Sequence, residues 1–221
     1  MRELELPKVD LSGLDLTCLN QKTWAKARAD IDDALKHFGA FEVVYDEVGS
    51  ELRGGLFGQA VPDLFAVPDI EKLISASEVP SHELGTKVVL PSHKDPNYIS
   101  IISQHNIGGL EIETSNGEWI STNPIKNSFT VLIGEAFMAW TNGRFQAPRH
   151  RVKMDRSKER YSVVFSTIPS FSNDVINPPK ELVDEEHPLL FKSFKYYDYV
   201  NFRFSDEGER HNDALKFYCD A

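Results

Sequence analysis

Cysteine is nearly absent from the 221 residues: Cys18 and Cys219 stand alone near opposite ends. That excludes a disulfide framework and a cysteine-based metal knuckle, and it fits a reducing compartment. The chain also has no Asn-x-Ser/Thr acceptor with x other than Pro, which suits the cytoplasm. No apolar run approaches the length needed to cross a bilayer. The opening "MRELELPKVDL" lacks the basic-then-apolar pattern of an export signal. Positive charge is scarce as well: 24 Lys and Arg face 34 Asp and Glu, a formal charge of −10. A nucleic-acid surface needs concentrated Lys and Arg, so that partner class is excluded, and a membrane partner with it. What remains is a chain that is 41% hydrophobic and 26% charged, able to bury one substantial core and bind small molecules or protein.

Residues 21–38 place Trp24, Ala27, Ile31, Ala34 and Leu35 at helical spacing, with Gly39 as a stop. "AFEVVY" at 40–45 predicts a strand, and "SELRGGLFGQAVPDLF" a second helix weakened by glycine. From residue 87 onward the chain turns to short β-type runs: "YISIIS", "GLEIET", "EWIST", "FTVLIG", "FMAW", "FQAPRHRVKM" and "RYSVVFSTI". Turn signals separate them, including the Asn-Gly pairs of "SNGE" and "TNGR", which favour hairpins. This spacing predicts a sandwich or small barrel. The expected organisation is an N-terminal helix-strand-helix region at 1–66, a connector at 67–86, a β core at 87–170 and a C-terminal helical segment at 171–221. The aromatic residues of that last segment are expected to pack on the β core.

"PSHKD" raises the chemical question. Seven His and 34 acidic residues make roughly one His-x-acid pair expected by chance, and "HND" at 211–213 is a second one. The pair His93 and Asp95 therefore needs a third member. Alternating strand residues share a face, so both side chains can meet one ion if this stretch is a strand. His150 in "APRHRVKM" is the candidate third ligand. Two His and one carboxylate form the facial triad of non-haem Fe(II) oxygenases, with open positions for small ligands. If His150, Val152 and Met154 point inward, Arg149, Arg151 and Lys153 face solvent. The alternative is a core or turn histidine. Ten residues on, Arg160 and Ser162 in "RYS" combine a planar fork with a hydroxyl, suited to the far carboxylate of a dicarboxylic acid. A surface arginine opening a strand is the competing explanation. Tyr98, Phe137 and Trp140 are candidates either for a substrate pocket or for core. His105 in "QHNIGG" reads as a turn residue and His187 in "EEHPLLF" as part of a helix start, while His37, His82 and His211 have no evident partner.

These segments resemble the plant-type Fe(II)/2-oxoglutarate-dependent dioxygenases. The resemblance lies in "LPSHKDPNYISIISQHNIGGLEIETSNGEWISTNP", "SFTVLIGEAFMAWTNGRFQAPRHRV" and "RYSVVFSTIPS". The tail from "PPKELVDEEHPLLF" onward is similar to the branch named for alkenyl- and hydroxyalkyl-glucosinolate formation. The resemblance implies a mainly β fold with flanking helices, a double-stranded β-helix or jelly roll. It implies His93, Asp95 and His150 as ligands of Fe(II), and Arg160 and Ser162 as the anchor of the 2-oxoglutarate C5 carboxylate. O2 would be the oxidant and ascorbate a supporting reductant. The reaction would hydroxylate, desaturate, demethylate or cyclise a small plant specialised metabolite.

The chain departs from the family in two respects. A block of helices, and a strand carrying a Tyr that contacts 2-oxoglutarate, usually precede the His-x-Asp strand, and the interval from Ile74 to Leu90 is too short for them. The usual Asn-His-Gly after the first strand is replaced by "YDEV". An internally shortened chain implies an incomplete jelly roll, present as a monomer or as a homodimer through the uncovered sheet. The second function class is accordingly a shortened, catalytically weak paralogue acting as a binding protein. A cupin-like holder of another divalent metal would leave Arg160 and Ser162 without a task.

Overall fold

The computed structural model describes residues 4–14, 22–66, 86–155 and 158–219. Eleven strands, six α-helices, one π-helical segment and two 3-10 turns make up the described elements, and none of these helices is long and apolar enough to cross a membrane. Cys18, His82 and most of the 67–86 connector lie outside the described residues.

The N-terminal region holds strand β1 (Lys8–Asp10), helix α1 (Lys22–Phe38) and strand β2 (Ala40–Val44). Gly39 closes α1 with φ 63°. A Cβ there would lie 2.1 Å from the Gln146 carbonyl, so only glycine fits. The expected second helix forms as α2 (Ser50–Gly55), one π-helical segment (Leu56–Ala60) and α3 (Val61–Ala66). Gly54, Gly55 and Gly58 fall in or beside that irregular middle.

The β core follows as β3 (Thr86–His93), β4 (Ile99–Gln104), β5 (Leu110–Glu113), β6 (Trp119–Ser121), β7 (Ser128–Ile133), β8 (His150–Asp155) and β9 (Ser162–Thr167). They form two sheets, ordered β1-β2-β7-β4-β9 and β3-β8-β5-β6. Their inner faces meet in a cluster of Leu6, Ala40, Ile102, Leu110, Ile112, Ile120 and Leu132. The outer face of the larger sheet packs Phe41, Val43 and Ile133 on α1 residues Ala27, Ala34 and Leu35. Two facing sheets of this connectivity, with helices outside, make the jelly roll. It is open on one side: among the described residues β9 pairs only with β4, and β3 only with β8.

Several expectations are corrected. "TKVVLPSH" forms strand β3, which was not among the β-type runs read from the sequence. "FMAW" lies in helix α4 (Glu135–Trp140), not a strand. Glu135, Ala136, Met138 and Ala139 are all buried there, so packing at helical spacing overrides the β preference of the aromatics. The Asn142-Gly143 pair consequently ends a helix, with both residues at positive φ, whereas Gly117 does sit in the β5–β6 hairpin. After the two-residue strands β10 (Val175–Ile176) and β11 (Phe194–Lys195), the tail forms α5 (Tyr196–Arg203) and α6 (Ala214–Cys219). Its aromatics do not lie on the sheets. Phe191, Phe194, Tyr196 and Tyr199 pack with Ala136, Met138, Ala139 and Ile176, beside the end of the jelly roll where α4 sits.

Candidate active site

Strand β3 ends at His93, and β8 begins at His150. The two residues are cross-strand partners, with ring centroids 4.3 Å apart. Asp95 is not on the strand as expected; it lies in the turn that follows. The turn still aims its carboxylate at both rings. Asp95 Oδ1 lies 3.5 Å from His93 Nε2 and 3.6 Å from His150 Nε2.

Each ring is oriented from behind by the carbonyl two residues earlier. His93 Nδ1 lies 2.8 Å from the Pro91 carbonyl, and His150 Nδ1 3.5 Å from that of Pro148. A proton on Nδ1 leaves Nε2 as the lone-pair donor, which is what a metal requires. The Pro-x-His spacing repeats at both histidines, a sequence signal that the reading of His93 and Asp95 passed over. Pro91 is tolerated because β3 is an edge strand whose register is irregular between Leu90 and His93.

Electrostatics favour that lone-pair state for Asp95 and His150 and oppose it for His93. Burial works to raise the Asp95 pKa, but the hydrogen bond with His93, the His150 ring and the Ser100 hydroxyl outweigh it, and the carboxyl is held below its usual range. Burial depresses His150 and keeps it neutral. Burial acts the same way on His93, yet its Asp95 and Pro91 partners raise it overall.

The donor set fits a divalent first-row ion. One ligand atom from each of His93, Asp95 and His150 lies within 4.8 Å of the other two, and no other such group occurs among the described residues. Three ligands at right angles around an ion with bonds of about 2.1 Å stand about 3 Å apart. Asp95 stands slightly wider than that from each ring, at 3.5 and 3.6 Å.

Arg160 and Ser162 open onto the same cavity, about 260 Å³ in volume, whose apolar walls include Ile102, Leu110, Val152 and Val164. The guanidinium is braced from three directions. Its Nε donates to the Gly108 carbonyl at 3.1 Å, one Nη to Gln104 Oε1 at 2.9 Å and the other to Ser162 Oγ at 3.2 Å. Gln104 is itself fixed by donating to Thr122 Oγ1 at 2.9 Å. Because Ser162 Oγ accepts from Arg160, its own proton remains available to a ligand. Leu90 and Val164, both lining the cavity, are 40% and 53% exposed. The cavity mouth therefore lies between β3 and β9, where the two sheets' free edges face each other.

Other expectations resolve differently. Arg151 does not simply face solvent: its Nε bonds Glu111 at 2.6 Å and its guanidinium stacks on Trp119 at 3.7 Å. Tyr98 and Phe137 pack into core clusters, and neither they nor Trp140 line this cavity. Asp213 pairs with Lys94 while His211 stacks on Phe217, so "HND" assembles no metal cluster. Residues missed from sequence include Asn97, Ser100 and Gln104, all buried. The available signal was a polar residue at an inward position: Ser100 and Gln104 share the face of Ile102 on β4.

The 2OG-Fe(II) oxygenase superfamily model matches residues 71–169. Two forms of the 2-oxoglutarate-dependent dioxygenase AOP2 of Arabidopsis thaliana, one of them named "probable inactive", are each 41% identical over 134 residues. That stretch is 60% of this chain and about a third of either relative (33% and 31%). The "Probable 2-oxoglutarate-dependent dioxygenase AOP1.2" of the same plant is 27% identical, with 97% of this chain and 96% of the relative covered. That alignment of 310 positions exceeds the 221 residues available, so the relative carries an internal stretch that this chain lacks. The rice dioxygenase for auxin oxidation superposes with a TM-score of 0.80 at 22% identity, over 98% of this chain and 100% of that one, which establishes the fold. The stretch matched by the 2OG-Fe(II) oxygenase superfamily model contains every strand that lines the cavity, so the likeness to that family covers the whole candidate site.

Proposed function

We propose that this protein is an Fe(II)/2-oxoglutarate-dependent dioxygenase that oxidises a small plant specialised metabolite in the cytoplasm. The observation that carries the reading is one cavity with the His93–Asp95–His150 cluster and the braced Arg160–Ser162 pair both on its walls. In this proposal His93, Asp95 and His150 hold Fe(II), and Arg160 and Ser162 bind the C5 carboxylate of 2-oxoglutarate. Bound Fe(II) would supply the redox chemistry that couples oxidative decarboxylation of 2-oxoglutarate by O2 to oxidation of the substrate.

The chain's own residues do the rest. Asp95 brings a negative charge that offsets the metal's, and the two imidazoles bind without releasing further charge. Gln104 and Gly108 hold the guanidinium plane still, so Arg160 meets a carboxylate with little rotamer entropy left to lose. Ser162 donates the proton that Arg160 leaves free. Ile102, Leu110 and Val152 flank the methylene segment and limit water around it. The test is succinate release from 2-oxoglutarate by the purified chain with Fe(II) and ascorbate. Release at wild-type rates from the Arg160→Lys protein would remove the anchor from the proposal.

A second reading has its own support. The mouth between β3 and β9 is open among the described residues, and the named relatives include one called inactive. A catalytically weak binding protein would bind 2-oxoglutarate and release no succinate. The outer face of the larger sheet also carries a groove of about 380 Å³ lined by apolar residues and Tyr45, including Phe41, Ile101, Phe129 and Val131. The tail packs elsewhere, so we propose a homodimer through this face.

A further inference from the structure

Behind the cluster, two buried polar side chains form a hydrogen-bond chain that ends on the carboxylate. Ser100 is 0% exposed and Asn97 5%. Asn97 Nδ2 donates to Ser100 Oγ at 2.8 Å, and Ser100 Oγ donates to Asp95 Oδ2. A serine hydroxyl carries one proton. Because its oxygen accepts from Asn97, that proton is directed at Asp95 and nowhere else. The two oxygens of Asp95 thereby become unlike: Oδ2 is engaged by Ser100, while Oδ1 faces His93 Nε2 and His150 Nε2. Asn97 is seated against Gly134, where a Cβ would fall 2.5 Å from Asn97 Oδ1 and 2.1 Å from the Asn97 carbonyl oxygen.

We propose that Ser100, oriented by Asn97, is a positioning residue that reserves Oδ2 and presents Asp95 to a metal through Oδ1 alone. This rests on the metal site proposed above and adds how its carboxylate is held. The reason for such a device is the count of positions. An octahedral ion keeps three positions when Asp95 supplies one oxygen and two when it supplies both. A chelating 2-oxo acid takes two by itself, so a bidentate aspartate would leave no position for a further small ligand. Outer-shell partners of this kind commonly change metal affinity by about 10–100-fold.

The test uses the full chain and Co(II) alone, followed by visible absorption, in the wild type, Ser100→Ala, Ser100→Thr and Asp95→Ala. Ser100→Ala is expected to weaken Co(II) binding ~10–100-fold and to shift the visible bands as the second oxygen becomes free to bind. Ser100→Thr keeps the hydroxyl and restores both. A Ser100→Ala protein with wild-type affinity and spectrum overturns the positioning role and leaves the metal site standing. An Asp95→Ala protein that binds Co(II) like the wild type overturns the metal site itself. If Ser100→Ala does not fold, Ser100→Cys carries the comparison: a weaker donor of similar size, it should bind Co(II) less tightly than wild type, and equal affinity overturns the role.

Discussion

His93 and His150 face each other across the β3–β8 pair, with ring planes inclined at 53°. The separation of two residues far apart in sequence is thus set by strand register. A slip of one residue in that pairing would send His150 to the opposite face and dismantle the cluster.

Replacing Asp95 by Ala should abolish iron binding, because the two imidazoles alone leave the ion without a charged ligand. Asp213→Ala should leave it unchanged. Asp213 accepts from the Lys216 amide at 3.1 Å and caps α6, so its loss should appear as about 1 kcal/mol of stability. Iron titration and denaturant unfolding of both proteins separate the two effects.

Arg160→Lys keeps the charge and loses the fork. We expect 2-oxoglutarate to bind more weakly by about 1.5–3 kcal/mol, with the metal retained. An unchanged 2-oxoglutarate titration in that protein would take Arg160 out of the site.

Gly134→Ala would drive a Cβ to 2.1 Å from the Asn97 carbonyl oxygen. The Gly134–Glu135 junction receives the turn that carries Asp95, through the Glu135 amide to the Asp95 carbonyl at 2.8 Å. The variant should lose about 1–3 kcal/mol and bind metal less tightly. Chemical denaturation beside a metal titration reads both losses.

Glu42 is buried between the sheets with Thr130 Oγ1 donating to it at 2.6 Å. Burial raises its pKa above the usual 4.5, against the opposing pull of Thr130, Lys8 and Ser128. The folded state therefore holds this proton more tightly than the unfolded chain. Stability contributed by Glu42 is greatest below pH 4.5 and falls as pH rises through the raised value. Glu42→Gln removes that fall, so its melting temperature should exceed the wild type's by more at pH 7.5 than at pH 4. A gain equal at both pH values would contradict the burial argument.

The apolar groove on the larger sheet predicts a solution mass above the monomer's. Phe129→Lys and Val131→Lys should restore the monomer without disturbing 2-oxoglutarate binding, since both side chains face away from the inner cavity. Sedimentation of the wild type as a monomer would end the dimer proposal.

Local pattern was enough to locate much of this molecule. Helical spacing from Trp24 to Leu35, alternation in "YISIIS" and "FTVLIG", and the Asn116-Gly117 turn each depend on near neighbours, so the chain states them directly. The residue types at 93, 95, 150, 160 and 162 likewise marked a candidate donor set and a candidate anion anchor, because their chemistry belongs to the side chains themselves. Three matters were decided only by tertiary structure. "FMAW" became helical because its small residues pack against the tail, a surface no short window contains. Asp95 left the strand, yet kept its aim because the turn is held from outside by the Glu135 amide. Ser100, Asn97 and Gln104 gained their roles from partners that the β4–β7 and β4–β9 pairings and the turn after His93 bring within hydrogen-bond reach. A hydrogen bond is a relation between two positions, and one sequence read alone contains only the positions.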